Sequence, residues 1–187
     1  APGLIIMAIL QNAFQNTSSS LVQAKFNSTH VDFLMPPLSP LELTAGFLGG
    51  AITRGVIVAV ISGIGIQLSG LADLSVVHVW PIVWFSLTAA IILGALGAMG
   101  GIWADKFDHL SAVTNFVIVP LTFLSGTFYD IKVMKEPFLT MAHLDPFFYM
   151  IDGFRYGFIG VANSSVTTGV IVTGVLSVLS TGAVWWM

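Results

Sequence analysis

Apolar residues in this chain come in long blocks separated by short polar or proline-rich links. Charge-free runs measure those blocks, because a helix needs about 20 apolar residues to cross ~30 Å of hydrocarbon. Residues 1–24 hold no Asp, Glu, Lys or Arg, although Gln11, Asn12, Gln15, Asn16 and Thr17 to Ser20 make them polar for a lipid-facing helix. Gly55 to Ala72 is a second such run, Leu74 to Ala104 a third that accommodates a short loop and a full span. His109 to Tyr129 and Tyr156 to Met187 are the fourth and fifth. The pattern predicts five crossings.

The links differ in kind. Lys25 to Leu43, KFNSTHVDFLMPPLSPLEL, holds three prolines within five positions, so no continuous helix runs through it. Ile102 to Leu110 is short and charged, with Trp103 where an interfacial aromatic sits. Asp130 to Gly160 is amphipathic, rich in Phe and Tyr and broken at Pro137 and Pro146. Two short helices at the membrane interface are expected there, since the 30 residues from Ile131 to Gly160 are too few for two crossings.

Composition sharpens this. Only 8% of the 187 residues are charged, against roughly 25% in a soluble domain, so the chain lacks the polar groups to cover a water-facing surface. Six basic against nine acidic residues give a net charge of −3 and argue against a nucleic-acid partner. Without cysteine there are no disulfides or thiolate sites. His30, His78, His109 and His143 lack metal-ligand spacing, and no metal is expected. No Gly is followed by Lys, which excludes the phosphate-binding G-x-x-x-x-G-K-[ST] loop, and neither G-x-S-x-G nor H-E-x-x-H occurs.

Four features stand out from the apolar background. Glycines recur at four-residue spacing, Gly46/Gly50, Gly97/Gly101 and Gly153/Gly157, a pattern that lets helix backbones approach closely in lipid. Arg54 is a basic residue drawn into an apolar run, near the start of the predicted second span. Asp152 and Arg155, at i and i+3, are expected to pair on one face of a short helix. The link Val31, Asp32, Phe33, Leu34, Met35, Pro36, Pro37, Leu38, Ser39, Pro40 offers an apolar knob stiffened by proline.

FLMPPLSPLEL at 33–43, PLTFLSGTFYDI at 120–131 and LDPFFYMIDGFRYGFIG at 144–160, read together with the opening APGLIIMAILQNAFQNTSSSL, resemble the type-2 ABC transporter permeases over essentially the whole chain. The resemblance implies an all-α, polytopic helical membrane protein and a single transmembrane domain over 1–187. Its match begins at the family's second helix, which implies a six-helix permease with about five helices here. It places 25–43 and 102–110 on the cytoplasmic side of an inner or plasma membrane, and 130–160 as paired re-entrant helices outside. It gives the link Val31 to Pro40 the task of docking on a separate ATPase subunit, with Asp105, Lys106 and Asp108 as a second contact. ATP and Mg would be bound by that partner, with no cofactor in this chain, and the permease would work as a homodimer in the lipid bilayer. The implied function is that of an exporter subunit without catalysis of its own. A passive channel is the alternative reading, and a membrane-embedded enzyme a weaker one.

Overall fold

The first helix, α1 (Pro2–Phe26), runs 25 residues without a charge until Lys25. Pro2 sits in its first turn, where the missing N–H costs nothing. It ends at Ser28, in the left-handed region at φ 56°, with Ser28 N–H on Lys25 O and Thr29 N–H on Ala24 O closing the last carbonyls. The computed structural model describes residues 2–29, 35, 38–70, 75–127, 140–141 and 144–187.

Helix α2 (Pro40–Ser69) opens on a capping box. Ser39 N–H donates to Glu42 Oε2 at 2.8 Å, and Glu42 N–H to Ser39 Oγ at 3.3 Å, with Pro40 first in the helix. The helix closes at Gly70, φ 66°. This start lies well before the charge-free run at Gly55, because neither Glu42 nor Arg54 interrupts the helix. Arg54 is therefore the fifteenth of 30 residues and lies mid-helix, not near its start.

Helix α3 (Val79–Trp103) follows, and then α4 (Phe107–Val113), a π-helical turn (Thr114–Ile118) and α5 (Val119–Leu124) run on from one another. Pro120 explains the π turn: its ring would strike the carbonyl four residues back, and the wider turn relieves that clash. Helix α6 (Pro146–Ile159) has 14 residues, about 21 Å at 1.5 Å each, too short to cross. It is the second of the two expected short outer helices; the segment expected for the first, including Lys132, Lys135 and Phe138, lies outside the described residues. Helix α7 (Val166–Trp186) is the last. The fifth span thus begins at Val166 rather than Tyr156, because 156–159 complete α6 and 160–165 form a turn.

Among the described residues, four segments are long and apolar enough to cross a membrane: Pro40–Ser69, Val79–Trp103, Phe107–Leu124 and Val166–Trp186. The protein is an all-α polytopic membrane protein. The fifth expected crossing, α1, has the length but not the apolarity, and its position accounts for that. It packs most heavily against α3 and α2, burying Ile5, Ile6, Ile9, Leu10 and Phe14 against Phe85, Ala89 and Leu93 of α3 and Met150, Ile151 and Phe154 of α6. A helix surrounded by protein needs no continuous lipid-compatible surface.

Helix approach depends on missing side chains, since burial in lipid gives little hydrophobic drive. A Cβ at Gly97 would overlap Phe14 O and Thr17 Oγ1, and one at Gly101 would lie 3.0 Å from Ser18 O. Gly153 and Gly157 admit Phe85 and Ile82 of α3 in the same way. Among the described residues beyond its own helix, nothing lies within 4 Å of a Cβ added at Gly46, and one at Gly50 meets only Asn16 Nδ2 at 3.1 Å. Two of the three glycine pairs are intramolecular packing faces; the third is open.

The ends of the bundle separate cleanly. Phe26 stacks on Phe107 at 5.6 Å, and Lys25 Nζ donates to Ala104 O at 3.1 Å, so the links after α1 and α3 share one end. At the other end Val77 and His78 N–H groups donate to Gly157 O at 3.0 and 2.9 Å, joining the link before α3 to the short helix α6.

Candidate functional site

Polar side chains on α1 fall at i and i+4: Gln11, Gln15 and Ser19 form one row, Asn12, Asn16 and Ser20 the next. Part of that surface borders a cleft of about 300 Å³ lined by Gln15, Ser18, Ser19, Arg54, Phe107, Leu110, Ser111, Thr114 and Asn115. Its walls come from α1, α2, α4 and the π turn. The apolar members are Phe107 and Leu110; every other wall residue carries a hydrogen-bonding side chain. The π turn shapes the third wall by placing Thr114 and Asn115 there, so the kink forced by Pro120 has a polar consequence.

Arg54 is the cationic member. Its Nε donates to Asn12 Oδ1 at 3.3 Å, and Asn12 Nδ2 donates to Ala8 O at 3.0 Å, which fixes the amide's orientation. Arg54 lies 14 residues from Pro40, about 21 Å along the helix, and its hydrogen bond directs it at α1. The guanidinium borders the polar cleft, surroundings in which a charge is tolerable.

The proline-rich link is partly described. Met35 and Leu38 are exposed, while Ser39 and Pro40 cap α2; Val31 to Leu34, Pro36 and Pro37 lie outside the described residues. Leu38 and Pro40 border an apolar cavity of about 650 Å³ that also touches Lys25, Ile102 and Trp185. The foot of the link thus meets α1, α3 and α7 together. Asp105, Lys106 and Asp108 are exposed at the same end, with Asp108 in the first turn of α4.

At the opposite end the structure does not bring Asp152 and Arg155 together. Asp152, 3% exposed, accepts from Asn163 N–H at 3.0 Å and from Ser164 N–H and Oγ at 2.9 and 3.1 Å. Arg155 Nη1 donates to Gly126 O at 3.3 Å. The carboxylate fixes the turn ahead of α7, and the guanidinium ties α6 to the end of α5. Sequence spacing placed both on one short helix but carried no sign of these more distant partners.

Asp145, the N-cap of α6, was not singled out by sequence. It is buried, accepts from Phe147 N–H at 3.0 Å and meets Ser125 Oγ at 2.8 Å. Ser125 Oγ also lies 2.7 Å from Leu121 O, and its single proton cannot serve both acceptors. As placed, Ser125 Oγ donates to Asp145 Oδ2; protonation of Asp145 would let the carboxyl donate to Ser125 and free the Ser125 proton for Leu121 O. Burial accordingly raises the Asp145 carboxyl above its ordinary value, against the lowering effect of its two hydrogen bonds. A raised folded-state value makes this contribution to stability complete at low pH and lost as pH rises through that value. Asp145→Asn, whose amide donates permanently to Ser125, should be at least as stable as the parent at neutral pH. It should also lack the parent's decline as pH rises above the ordinary carboxylate range; equal slopes of thermal midpoint against pH would refute the protonated cap.

Among the described residues no group of three His, Asp or Glu converges as a metal site, and no buried side-chain nitrogen or oxygen lacks a partner. The signal that sequence reading undervalued was the polar stripe of α1: six hydrogen-bonding residues at helical spacing mark a face on protein or water.

Comparison with known proteins agrees with this arrangement. The family model for ABC-2 type transporters matches residues 1–159. The chain is 36% identical over 182 residues to the inner membrane transport permease YadH of Escherichia coli K12, covering 94% of this chain and 69% of that protein. The YadH proteins of Escherichia coli O157:H7 and Shigella flexneri match equally. No solved structure gives a significant match. A helical bundle with four segments able to cross a membrane, matched across nearly its whole length, belongs to the ABC-2 type transporter family as a multi-pass inner-membrane permease subunit of an ABC transporter.

Proposed function

We propose that the chain is one transmembrane domain of an ATP-driven exporter, and that the cleft between α1, α2 and the π turn is its share of the translocation path. The carrying observation is a cleft whose lining is mostly polar, Arg54 included, in a chain otherwise short of polar residues. A second copy would complete the path by facing the cleft within the bilayer, and a separate ATPase would supply the free energy by binding ATP and Mg. This chain performs no covalent chemistry in that scheme.

Coupling to the ATPase is assigned to the link Val31 to Pro40. Its described foot supports the assignment: Leu38 and Pro40 contact the cavity shared by α1, α3 and α7, and the capping box makes Ser39 to Glu42 a rigid start for α2. A push on the link is then delivered to helices that wall the path. Asp105, Lys106 and Asp108 offer a second, polar contact at the same end. A passive pore would need no such lever.

Replacing Leu34 and Met35 together by Asp puts two charges on the apolar knob. The double variant should insert normally yet lose co-purification of the ATPase and transport. Undiminished co-purification would remove the coupling assignment.

A further inference from the structure

Arg54 lies at the middle of α2 and borders the polar cleft. Among the described residues its setting has an imbalance of charge. Helix α1 holds no acidic residue, and the acidic residue of α2, Glu42, stands 12 positions back, about 18 Å along the helix. Asp108 begins α4 at the end of the bundle and does not line the cleft. The hydrogen bond found for Arg54 among the described residues is the one from Nε to Asn12. A guanidinium has five N–H donors, so Asn12 holds the near edge while four donors on the two terminal nitrogens remain for a ligand.

Gln15, Ser111, Thr114 and Asn115 surround the same space and each carries a hydrogen-bond donor. Phe107 and Leu110 supply an apolar flank. A fork of paired donors, neutral donors around it and apolar surface beside it together suit a phosphate or carboxylate attached to a hydrocarbon body. We infer that this cleft binds the anionic head of an amphiphile, with Arg54 as its specificity-determining residue and Asn12 as the positioning residue. The inference rests on reading the cleft as part of the transport path, and it names the chemical class that the path recognises.

Water in the cleft is a poorer substitute. An anion supplies the opposite charge that no wall residue of the cleft carries. Acidic bilayer lipid and an acidic cargo share this chemistry, so the test separates them.

The permease with its ATPase is placed in phosphatidylcholine nanodiscs and titrated with decyl phosphate, with decanol and decylphosphocholine as neutral and zwitterionic controls. Binding is read by the shift in thermal midpoint, independently of ATP hydrolysis. Decyl phosphate should stabilise the parent, and Arg54→Gln should weaken its apparent affinity about tenfold or more, with the controls unaffected. Arg54→Lys should retain part of the affinity. Asn115→Leu, which leaves the Arg54–Asn12 contact intact, should weaken binding by a smaller factor and guards against a folding defect at Arg54.

Equal responses of parent, Arg54→Gln and Asn115→Leu would overturn the site, as would equal binding of decanol. Transfer to phosphatidylglycerol discs then assigns the source: a shift that vanishes identifies acidic lipid as the occupant, and one that persists identifies a free amphiphile. Arg54-dependent binding without any change in ATPase rate would keep the anion site and refute its place in the transport path.

Discussion

Gly97→Leu is expected to lower the thermal midpoint of the detergent-solubilised permease by about 10 °C, whereas Gly46→Leu leaves it nearly unchanged. Both glycines open a four-residue pair on a membrane helix, and nothing in the local sequence ranks them. The structure does. A Cβ at Gly97 would overlap the backbone carbonyl of Phe14 and the hydroxyl of Thr17, and a backbone atom cannot rotate away. That hydroxyl is itself engaged, donating across the interface to Gly94 O at 2.7 Å. Forcing α1 and α3 apart therefore breaks an interhelical hydrogen bond as well as a close backbone contact. Overpacking of this kind costs about 3 kcal/mol, which for a chain of this size is of the order of 10 °C. At Gly46 nothing stands within 4 Å, and leucine is the better helix former. Equal midpoints for the two variants would mean that α1 and α3 do not meet as described.

The same contrast shows what the sequence made legible. The apolar blocks located α3, the run Phe107–Leu124 and most of α7, because a bilayer imposes a length on any helix that crosses it. The start of α2 was missed: Ser39, Pro40 and Glu42 form a capping box, whereas the prolines made Lys25 to Leu43 read as a link throughout. What the charge-free ruler hid was continuity through Arg54, since it counts any cation as a boundary. A cation facing a polar cleft interrupts hydropathy without interrupting the helix. Pro120 leaves the fourth span whole, because a π turn absorbs it and the segment runs from Phe107 to Leu124. The site followed the same rule. Arg54 was visible as an anomaly, but Asn12, Thr114 and Asn115 became its neighbours only through the crossing of three helices, which no local pattern encodes.

Charge reversal at Asp152 and Arg155 separates spacing from structure most sharply. Spacing of i and i+3 predicts a mutual pair, for which exchanging the two charges restores what either single reversal removes. The geometry predicts the opposite. Asp152 spends its carboxylate on the N–H groups of Asn163 and Ser164 and the Ser164 hydroxyl, donors that an arginine at 152 cannot satisfy. Arg155 donates to the carbonyl of Gly126, which an aspartate at 155 would repel. Each reversal therefore fails for its own reason. Asp152→Ala should cost about 3 kcal/mol, because it removes a buried charged acceptor and strands its donors. Arg155→Gln should cost under about 1 kcal/mol, since it loses a single half-buried bond to a neutral carbonyl. The double exchange, Asp152→Arg with Arg155→Asp, should be as damaging as the two single reversals summed, with a coupling energy near zero in the double-mutant cycle. Recovery of stability or transport in the exchanged protein would restore the direct pair and remove Asp152 as the clamp between α6 and the turn that launches α7.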